Sequence, residues 1–305
     1  MKAVRFDRYG GPEVLEVREV EDPVAVPGEV VVAVKAAGIQ PGEISIREGY
    51  LHERFPSTFP SGEGSDLAGV VATIGDGVTG FTVGDEVLGW SERRSSHAEL
   101  VLVPEEQLVS KPAELSWEVA GSLFVVSMAA WASVEAVGVS DGDVVAVSAA
   151  AGGVGGFAAQ LAKVRGARVI GLASDANHDW LRSRGIEPVA YGEGQAERLR
   201  SAAAGTLDAF IDTFGGGYVD LAIELGVAKD RINTIIDYEA VGRLGVKGEG
   251  THSIASAELL AAAAALVAEG TIELPIARTY PLSEVRAAFE QLAERRTRGK
   301  IVLIP

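Results

Sequence analysis

Cysteine is entirely absent from the 305 residues. Its absence excludes disulfide bonds, thiolate catalysis and zinc sites with cysteine ligands. The four histidines, His52, His97, His178 and His252, are far apart in the sequence and show none of the close spacings that are typical of zinc motifs.

The chain also lacks long hydrophobic runs and an excess of positive charge. No stretch approaches the roughly 18 consecutive apolar residues that a membrane span needs, and the charged segment 1–7 is not typical of a signal peptide. The formal net charge of −16 disfavours a nucleic-acid binder, which normally shows a basic face. We therefore expect a cytoplasmic protein that binds neither membrane nor nucleic acid.

The residues that are present predict two kinds of domain. Up to about residue 117, short β-branched runs such as 27–38 and 67–74 are bounded by Gly, Pro and Asp, which predicts a small barrel-like sheet. An Ala-rich helical stretch follows. Strands and helices then alternate, with strands predicted from residue 144 and at 168–173, 188–191, 209–212 and 232–236. This alternation is typical of βαβ units around a parallel sheet.

The stretch 144–156 predicts a strand, a glycine-rich turn and the start of a helix. Gly152, Gly153, Val154 and Gly155 form the turn, where small residues allow a pyrophosphate to approach the amides of a helix N-terminus. The alternative interpretation is a tight βα turn that binds nothing. The five-strand alternation around the turn favours the dinucleotide site.

The end of the second strand of this alternation should select the cofactor. Sites for NAD usually place a carboxylate there to hold the ribose 2′-hydroxyl, whereas sites for NADP leave room and donors for a phosphate. Ser174 and Asn177 are small donors and favour NADP. Asp175 would repel a phosphate, so NAD remains the alternative.

Further candidates lie at strand ends and in the first domain. Phe214 and Ile236 follow the fourth and fifth strands, and each could lie along the cofactor or simply pack in the core. Gln40 and Tyr50 are candidates for the substrate side. Tyr50 could hold a carbonyl oxygen or relay a proton, although a surface or hinge role is the alternative.

Six segments together resemble the medium-chain dehydrogenase/reductase superfamily. They span the whole chain, at residues 1–20, 36–41, 64–69, 84–87, 150–155 and 298–303. Ala150 is the residue that the zinc-free quinone oxidoreductase branch carries at the first position of the glycine motif. The resemblance is therefore to that branch.

The resemblance implies an α/β protein with a GroES-like, β-rich catalytic domain and a Rossmann domain built on a doubly wound parallel sheet. The boundaries implied are 1–117 for the catalytic domain, 118–253 for the NADP-binding domain and 254–305 for a C-terminal return to the catalytic domain. Zinc alcohol dehydrogenases carry cysteine where Gln40 stands and histidine where Ser65 stands, so the resemblance implies a protein without zinc. It also adds Ala150, Tyr191 and Lys300 as cofactor contacts.

The implied reaction is hydride transfer from NADPH to a quinone or an α,β-unsaturated carbonyl compound. One alternative is an NADPH-binding sensor or structural protein with little turnover, and a second is an enoyl-thioester reductase. The resemblance also implies a homodimer formed at an edge of the Rossmann sheet, for which segment 241–250 is the candidate.

Overall fold

The structure, a computed structural model, describes residues 1–305 and divides into two compact units. Unit 1 comprises Met1–Val125, Ser256–Thr271 and Pro275–Pro305, and unit 2 comprises Val126–Ala255 and Ile272–Leu274. Unit 1 is therefore built from both ends of the chain.

Fourteen strands form three sheets. In chain order they are β1 (Lys2–Arg5), β2 (Glu16–Glu19), β3 (Glu29–Gly38), β4 (Asp66–Ile74), β5 (Glu86–Trp90), β6 (Leu100–Pro104), β7 (Leu108–Ser110), β8 (Val144–Val147), β9 (Arg168–Ala173), β10 (Glu187–Ala190), β11 (Ala209–Asp212), β12 (Ile232–Thr234), β13 (Ile276–Pro281) and β14 (Lys300–Ile304).

Eleven α-helices separate or flank these strands. They are α1 (Pro41–Arg47), α2 (Trp117–Ala120), α3 (Phe124–Ala136), α4 (Gly153–Val164), α5 (His178–Ser183), α6 (Gln195–Ala203), α7 (Tyr218–Glu224), α8 (Tyr238–Leu244), α9 (Thr251–Ile254), α10 (Ala257–Ala268) and α11 (Val285–Ala293). None of them is long and apolar enough to cross a lipid bilayer.

Unit 1 is organised around the long strand β3. It pairs antiparallel with β4, β6 and β14, within a seven-stranded sheet whose main order is β13-β14-β3-β4-β5-β7. Alternating valines of β3, among them Val30 and Val32, are completely buried in one core cluster. A second cluster around Phe289 of α11 packs beside β14. The final strand β14 therefore belongs to the β-rich unit.

Unit 2 has a five-stranded sheet in the order β10-β9-β8-β11-β12, and every pairing is parallel. Completely buried residues such as Ala146, Ile170 and Phe210 form its core. The predicted parallel sheet is confirmed. The strand order reverses between β8 and β11, and ligands of open α/β sheets bind beyond the carboxyl ends of the strands at such a point.

Two of the predicted strands have other bounds in the structure, and the strand predicted at 188–191 is β10, Glu187–Ala190. The fifth strand of the parallel sheet ends at Thr234 instead of residue 236, because the Thr234 hydroxyl accepts hydrogen bonds from the amides of Ile236 and Asp237 and turns the chain.

Candidate functional site

The glycine-rich turn of unit 2 is a cradle of open backbone amides. The Gly152 amide donates to the Ala149 carbonyl at 2.8 Å, and Ala149 itself takes a φ of +47°. Helix α4 starts at Gly153, and its first intrahelical bond runs from the Gly156 amide to the Gly152 carbonyl. The three amides of residues 153–155 therefore have no partner within the helix and are free to bind an anion.

Gly155 has no room for a side chain. A Cβ atom there would lie 2.3 Å from the Ala149 carbonyl oxygen and 2.7 Å from that of Ser148. This contact brings the start of α4 against the end of β8. The lack of a side chain at Gly155 thus allows the open amides of the cradle to lie close to the end of β8.

Ala150, an implied cofactor contact, packs against β9. It is completely buried, its amide donates to the Leu172 carbonyl at 3.0 Å, and its methyl group lies where a side chain on Gly171 would have to stand. Neither the methyl group nor the amide of Ala150 is available to a cofactor. Its small size instead allows the turn to pack closely against β9.

A buried carboxylate joins the carboxyl ends of three neighbouring strands, β8, β11 and β12. Asp212, at the end of β11, accepts from the Ser148 hydroxyl at 2.7 Å, the Thr234 hydroxyl at 2.9 Å and the Gly215 amide at 2.9 Å. The Ser148 hydroxyl in turn accepts from the Thr213 amide at 2.8 Å. Sequence reasoning missed this role, although an aspartate that ends a buried strand shortly before three glycines was a usable signal.

The predicted aromatic and aliphatic contacts lie at the same edge of the sheet but differ in exposure. Phe214 packs against the core of unit 2, with its ring edge-to-face at 6.0 Å from Tyr218. Ile236 and Tyr191 are 40% and 57% exposed. Burial, with smaller contributions from Asp212 and Tyr191, raises the pKa of Tyr218 to about 12, so its hydroxyl keeps its proton at neutral pH.

The structure brings Ser174 and Asn177 together at the end of β9. The Asn177 amide group donates to the Ser174 hydroxyl at 3.0 Å across a short 3₁₀ turn. Asp175 extends into solvent and lies 3.7 Å from His178 Nε2. A carboxylate and two neutral donors therefore share the place where a ribose or its phosphate would bind.

A second polar site lies in unit 1 at the start of α1. Gln40 caps this helix, and its amide donates to the Glu43 carboxylate at 2.8 Å. The side-chain amide of Gln40 donates to Asp66 at 2.5 Å, while its oxygen accepts from the Lys300 ammonium at 2.6 Å. Ser65 joins the same cluster because its amide donates to Glu43 at 3.2 Å.

Lys300, an implied cofactor contact, is almost completely buried, with its ammonium also bonded to the Ile39 carbonyl at 2.7 Å. Burial lowers the pKa of Lys300, against the opposing effect of Asp66 and Glu43. Burial likewise raises the pKa of Asp66 to about 6, against the effect of Lys300. The structure places Lys300 in an internal ion cluster instead of at an open surface.

The structure does not bring Tyr50 to this cluster. Tyr50 lies in the turn after α1 with 79% of its surface exposed, and no contact joins it to Gln40. A catalytic hydroxyl needs to be held in place, and nothing holds this one. Of the two predicted catalytic residues, only Gln40 is ordered by its neighbours.

Comparison with known proteins agrees with this geometry. Residues 26–113 match the alcohol dehydrogenase GroES-like domain family, and residues 185–303 match a family described as zinc-binding dehydrogenase. The chain is 30% identical to a quinone oxidoreductase of Pseudomonas aeruginosa, over 100% of this chain and 99% of that protein.

Two solved structures share the fold over the full length. The quinone oxidoreductase from Coxiella burnetii is 30% identical with a TM-score of 0.90, covering 100% of this chain and 99% of that one. The Escherichia coli quinone oxidoreductase complexed with NADPH is 25% identical with a TM-score of 0.88, covering 100% of both chains.

Proposed function

Because the chain belongs to the quinone oxidoreductase-like branch of the medium-chain dehydrogenase/reductase superfamily, we propose that it is an enzyme that uses NADPH to reduce a quinone or an α,β-unsaturated carbonyl compound. The observation that carries the proposal is the cradle at residues 152–155, where three open amides and the close contact of Gly155 fit a pyrophosphate. The similarity to a full-length relative solved with NADPH supports the choice of cofactor.

The residues of unit 2 account for binding and orientation. The bound cofactor supplies the hydride chemistry. The amides of residues 153–155 hold its phosphates, and Asp212 fixes the strand ends on which the binding loops are mounted. Ser174 and Asn177 donate hydrogen bonds to the adenosine ribose or its phosphate. Tyr191 and Ile236 offer apolar surface at the same edge.

The preference for NADPH over NADH rests on the turn after β9. Ser174 and Asn177 are neutral donors that suit a 2′-phosphate, whereas the negative charge of the exposed Asp175 would repel a phosphate. We expect Asp175→Asn to lower the KM for NADPH and to leave the KM for NADH unchanged or higher. Initial rates with both cofactors measure this. Equal effects on the two cofactors would show that Asp175 does not face the ribose.

We also propose that the reaction needs no zinc. The two positions at which zinc alcohol dehydrogenases carry ligands hold Gln40 and Ser65, and the Lys300 ammonium lies 2.6 Å from the Gln40 oxygen. A cation bonded there would repel a divalent metal ion. Dialysis against a chelator should leave the rate unchanged, and loss of activity restored by zinc would refute this part.

The main test pairs binding with turnover. Fluorescence titration measures the affinity for NADPH, and NADPH consumption is followed with a panel of quinones and enones. Binding with turnover on at least one acceptor supports the enzyme. Tight binding without turnover on any acceptor would instead favour the sensor or structural protein.

We further propose a homodimer formed beyond β12. Lys247 pairs in parallel with Asn233, and the Asn233 side chain holds Glu249 through hydrogen bonds of 2.8 and 3.0 Å. The bridge at Lys247 adds a short extended segment to the sheet beyond β12. The new edge of the sheet then lies within residues 241–250. Sedimentation analysis tests the assembly, and a monomer at micromolar concentration would contradict it.

The cellular location remains the prediction made from the sequence.

A further inference from the structure

Tyr218, the first residue of α7, has a buried ring and a hydroxyl without a partner in the protein. The residue is only 8% exposed, and no hydrogen bond within the chain reaches its hydroxyl. The oxygen is nevertheless not one of the fully enclosed polar atoms of the chain, so solvent or a ligand can reach it. The hydroxyl is therefore a donor at the surface of the core that the fold itself does not use.

Two phenylalanines hold the ring of Tyr218 in place. The ring of Phe210, in β11, stacks at 6.1 Å between centroids, with 28° between the ring planes. Phe214 meets it edge-to-face at 6.0 Å. Because the ring belongs to the hydrophobic core of unit 2, the position of its hydroxyl is fixed before any ligand arrives. A group fixed in this way loses little conformational entropy on binding.

The hydroxyl lies near the carboxyl ends of two strands of the parallel sheet. Burial is the main cause that raises the pKa of Tyr218 to about 12, and Asp212 and Tyr191 add to it electrostatically. Asp212 ends β11 and Tyr191 follows β10, so the phenol is close to the ends of both strands. In the sheet, β9 and β8 stand between β10 and β11.

The turns that follow β8 and β9 belong to the proposed cofactor site. The cradle at 152–155 follows β8 and fits the pyrophosphate, while Ser174 and Asn177 follow β9 and suit the adenosine ribose or its phosphate. The adenine base is attached to that ribose. It must therefore lie close to the same strand ends, where the Tyr218 hydroxyl is exposed.

The chemistry at this point suits a neutral aromatic base. The Asp212 carboxylate close to the hydroxyl disfavours a phosphate there. Tyr191 is 57% exposed and offers an aromatic surface on which a base can stack. Adenine has hydrogen-bond acceptors at N3 and N7, and the Tyr218 hydroxyl retains a proton to donate.

We propose that the Tyr218 hydroxyl donates a hydrogen bond to the adenine ring of the bound cofactor, while the exposed ring of Tyr191 covers the base. This inference rests on the proposed function and adds to it a residue that fixes the adenosine end of the cofactor. The contact does not involve the 2′-phosphate, so it serves NADPH and NADH equally.

Tyr218→Phe tests the contact, because it removes the hydroxyl and retains the ring that packs on Phe210 and Phe214. Isothermal titration calorimetry measures the Kd for NADPH, NADH and ADP-ribose, which has the adenosine and both phosphates but no nicotinamide. We expect all three values to rise by about 3-fold to 10-fold, the effect of one neutral hydrogen bond. The kcat at saturating NADPH should not change, because the base takes no part in hydride transfer.

The matched control is Tyr280→Phe. Tyr280 is also buried, at 5% exposure, but belongs to unit 1, where its hydroxyl donates to Gln291. This variant should leave the three Kd values unchanged.

Each other outcome is decisive. If the wild type binds NADPH and Tyr218→Phe binds it equally well, the inference is wrong and the proposed function stands. Weaker binding of NADPH with unchanged binding of ADP-ribose would assign the hydroxyl to the nicotinamide half and would also overturn the inference. A wild type that does not bind NADPH would refute the proposed function, and the inference with it.

A crystal structure of the full-length protein with ADP-ribose gives a test without any variant. The Tyr218 oxygen should lie within about 3.2 Å of an adenine nitrogen. A base bound beyond the reach of this hydroxyl would contradict the assignment.

Discussion

Gly155→Ala is the substitution that most directly tests the phosphate cradle. The added methyl group would stand 2.3 Å from the Ala149 carbonyl oxygen, whereas ordinary contacts begin near 3.4 Å. The position of a Cβ is fixed by its backbone and the oxygen is itself a backbone atom, so no side-chain rotation relieves the overlap. The start of α4 must therefore move away from the end of β8 by about 1 Å, the difference between these two distances.

A displacement of that size is enough to break a hydrogen bond to a bound phosphate. Each hydrogen bond to a charged group contributes about 1.5–3 kcal/mol, and about 1.4 kcal/mol corresponds to a tenfold change in affinity. Loss of one such bond should therefore raise the Kd for NADPH by about 10-fold to 100-fold. The free energy of unfolding should also fall, because the turn packs less closely.

Fluorescence titration with NADPH measures the effect, and Gly156→Ala is the matched control. A Cβ at Gly156 would lie 3.3 Å from the Ala150 carbonyl oxygen and 3.4 Å from Trp180, which a small adjustment relieves. We expect the Kd of the control for NADPH to lie within about threefold of the wild-type value, because the adjustment costs only a few tenths of a kcal/mol. Equal affinity of Gly155→Ala and wild type would show that the cofactor does not depend on this cradle.

Three further predictions concern the other buried and exposed groups. Asp212→Ala should lower the free energy of unfolding by about 3–5 kcal/mol, because several buried donors lose their acceptor; a loss below about 1 kcal/mol in urea unfolding would contradict this role. The folded-state pKa of Glu43 is raised, so the stability that its bound proton contributes is present below pH 4.5 and is lost as the pH rises to about 8. Relative to Glu43→Gln, wild type should thus lose on the order of 5 kcal/mol across that window, and parallel pH profiles of the two proteins would refute the shift. Tyr50→Phe should leave kcat/KM for any quinone within about twofold, because the exposed hydroxyl has no partner to hold it; a tenfold loss in initial-rate measurements would restore Tyr50 as a catalytic candidate.

The parallel sheet and its glycine turn were predictable because they depend on local sequence. Strands 168–173 and 209–212 lie where the apolar runs placed them, since strands buried on both faces are continuous hydrophobic segments. The end of β12 was misplaced by two residues. The Thr234 hydroxyl ends that strand through hydrogen bonds to following amides, and an apolar pattern carries no signal of such a contact.

The roles of single polar residues were much harder to predict. Lys300 and Gln40 are 260 positions apart in sequence, yet their side chains meet at 2.6 Å. Tyr50, only ten positions from Gln40, is exposed and apart from it. Chemical type had suggested a catalytic tyrosine, and the family resemblance had implied a cofactor contact at Lys300, but neither carries information about burial, and the structure buries the Lys300 side chain almost completely.

The sequence alone determined the class of the protein. The absence of cysteine, the alternation of strands and helices and the turn at 152–155 follow from composition and spacing, and these act over a few residues. Only the tertiary structure determined which charged side chains lie together. The pairing of β14 with β3, with α1 packed beside them, buries three acids with two bases: Glu43, Glu63 and Asp66 with Arg47 and Lys300. Electrostatic interactions depend on distance and burial and not on sequence separation, so the cluster around Glu43 exists only once the chain has folded.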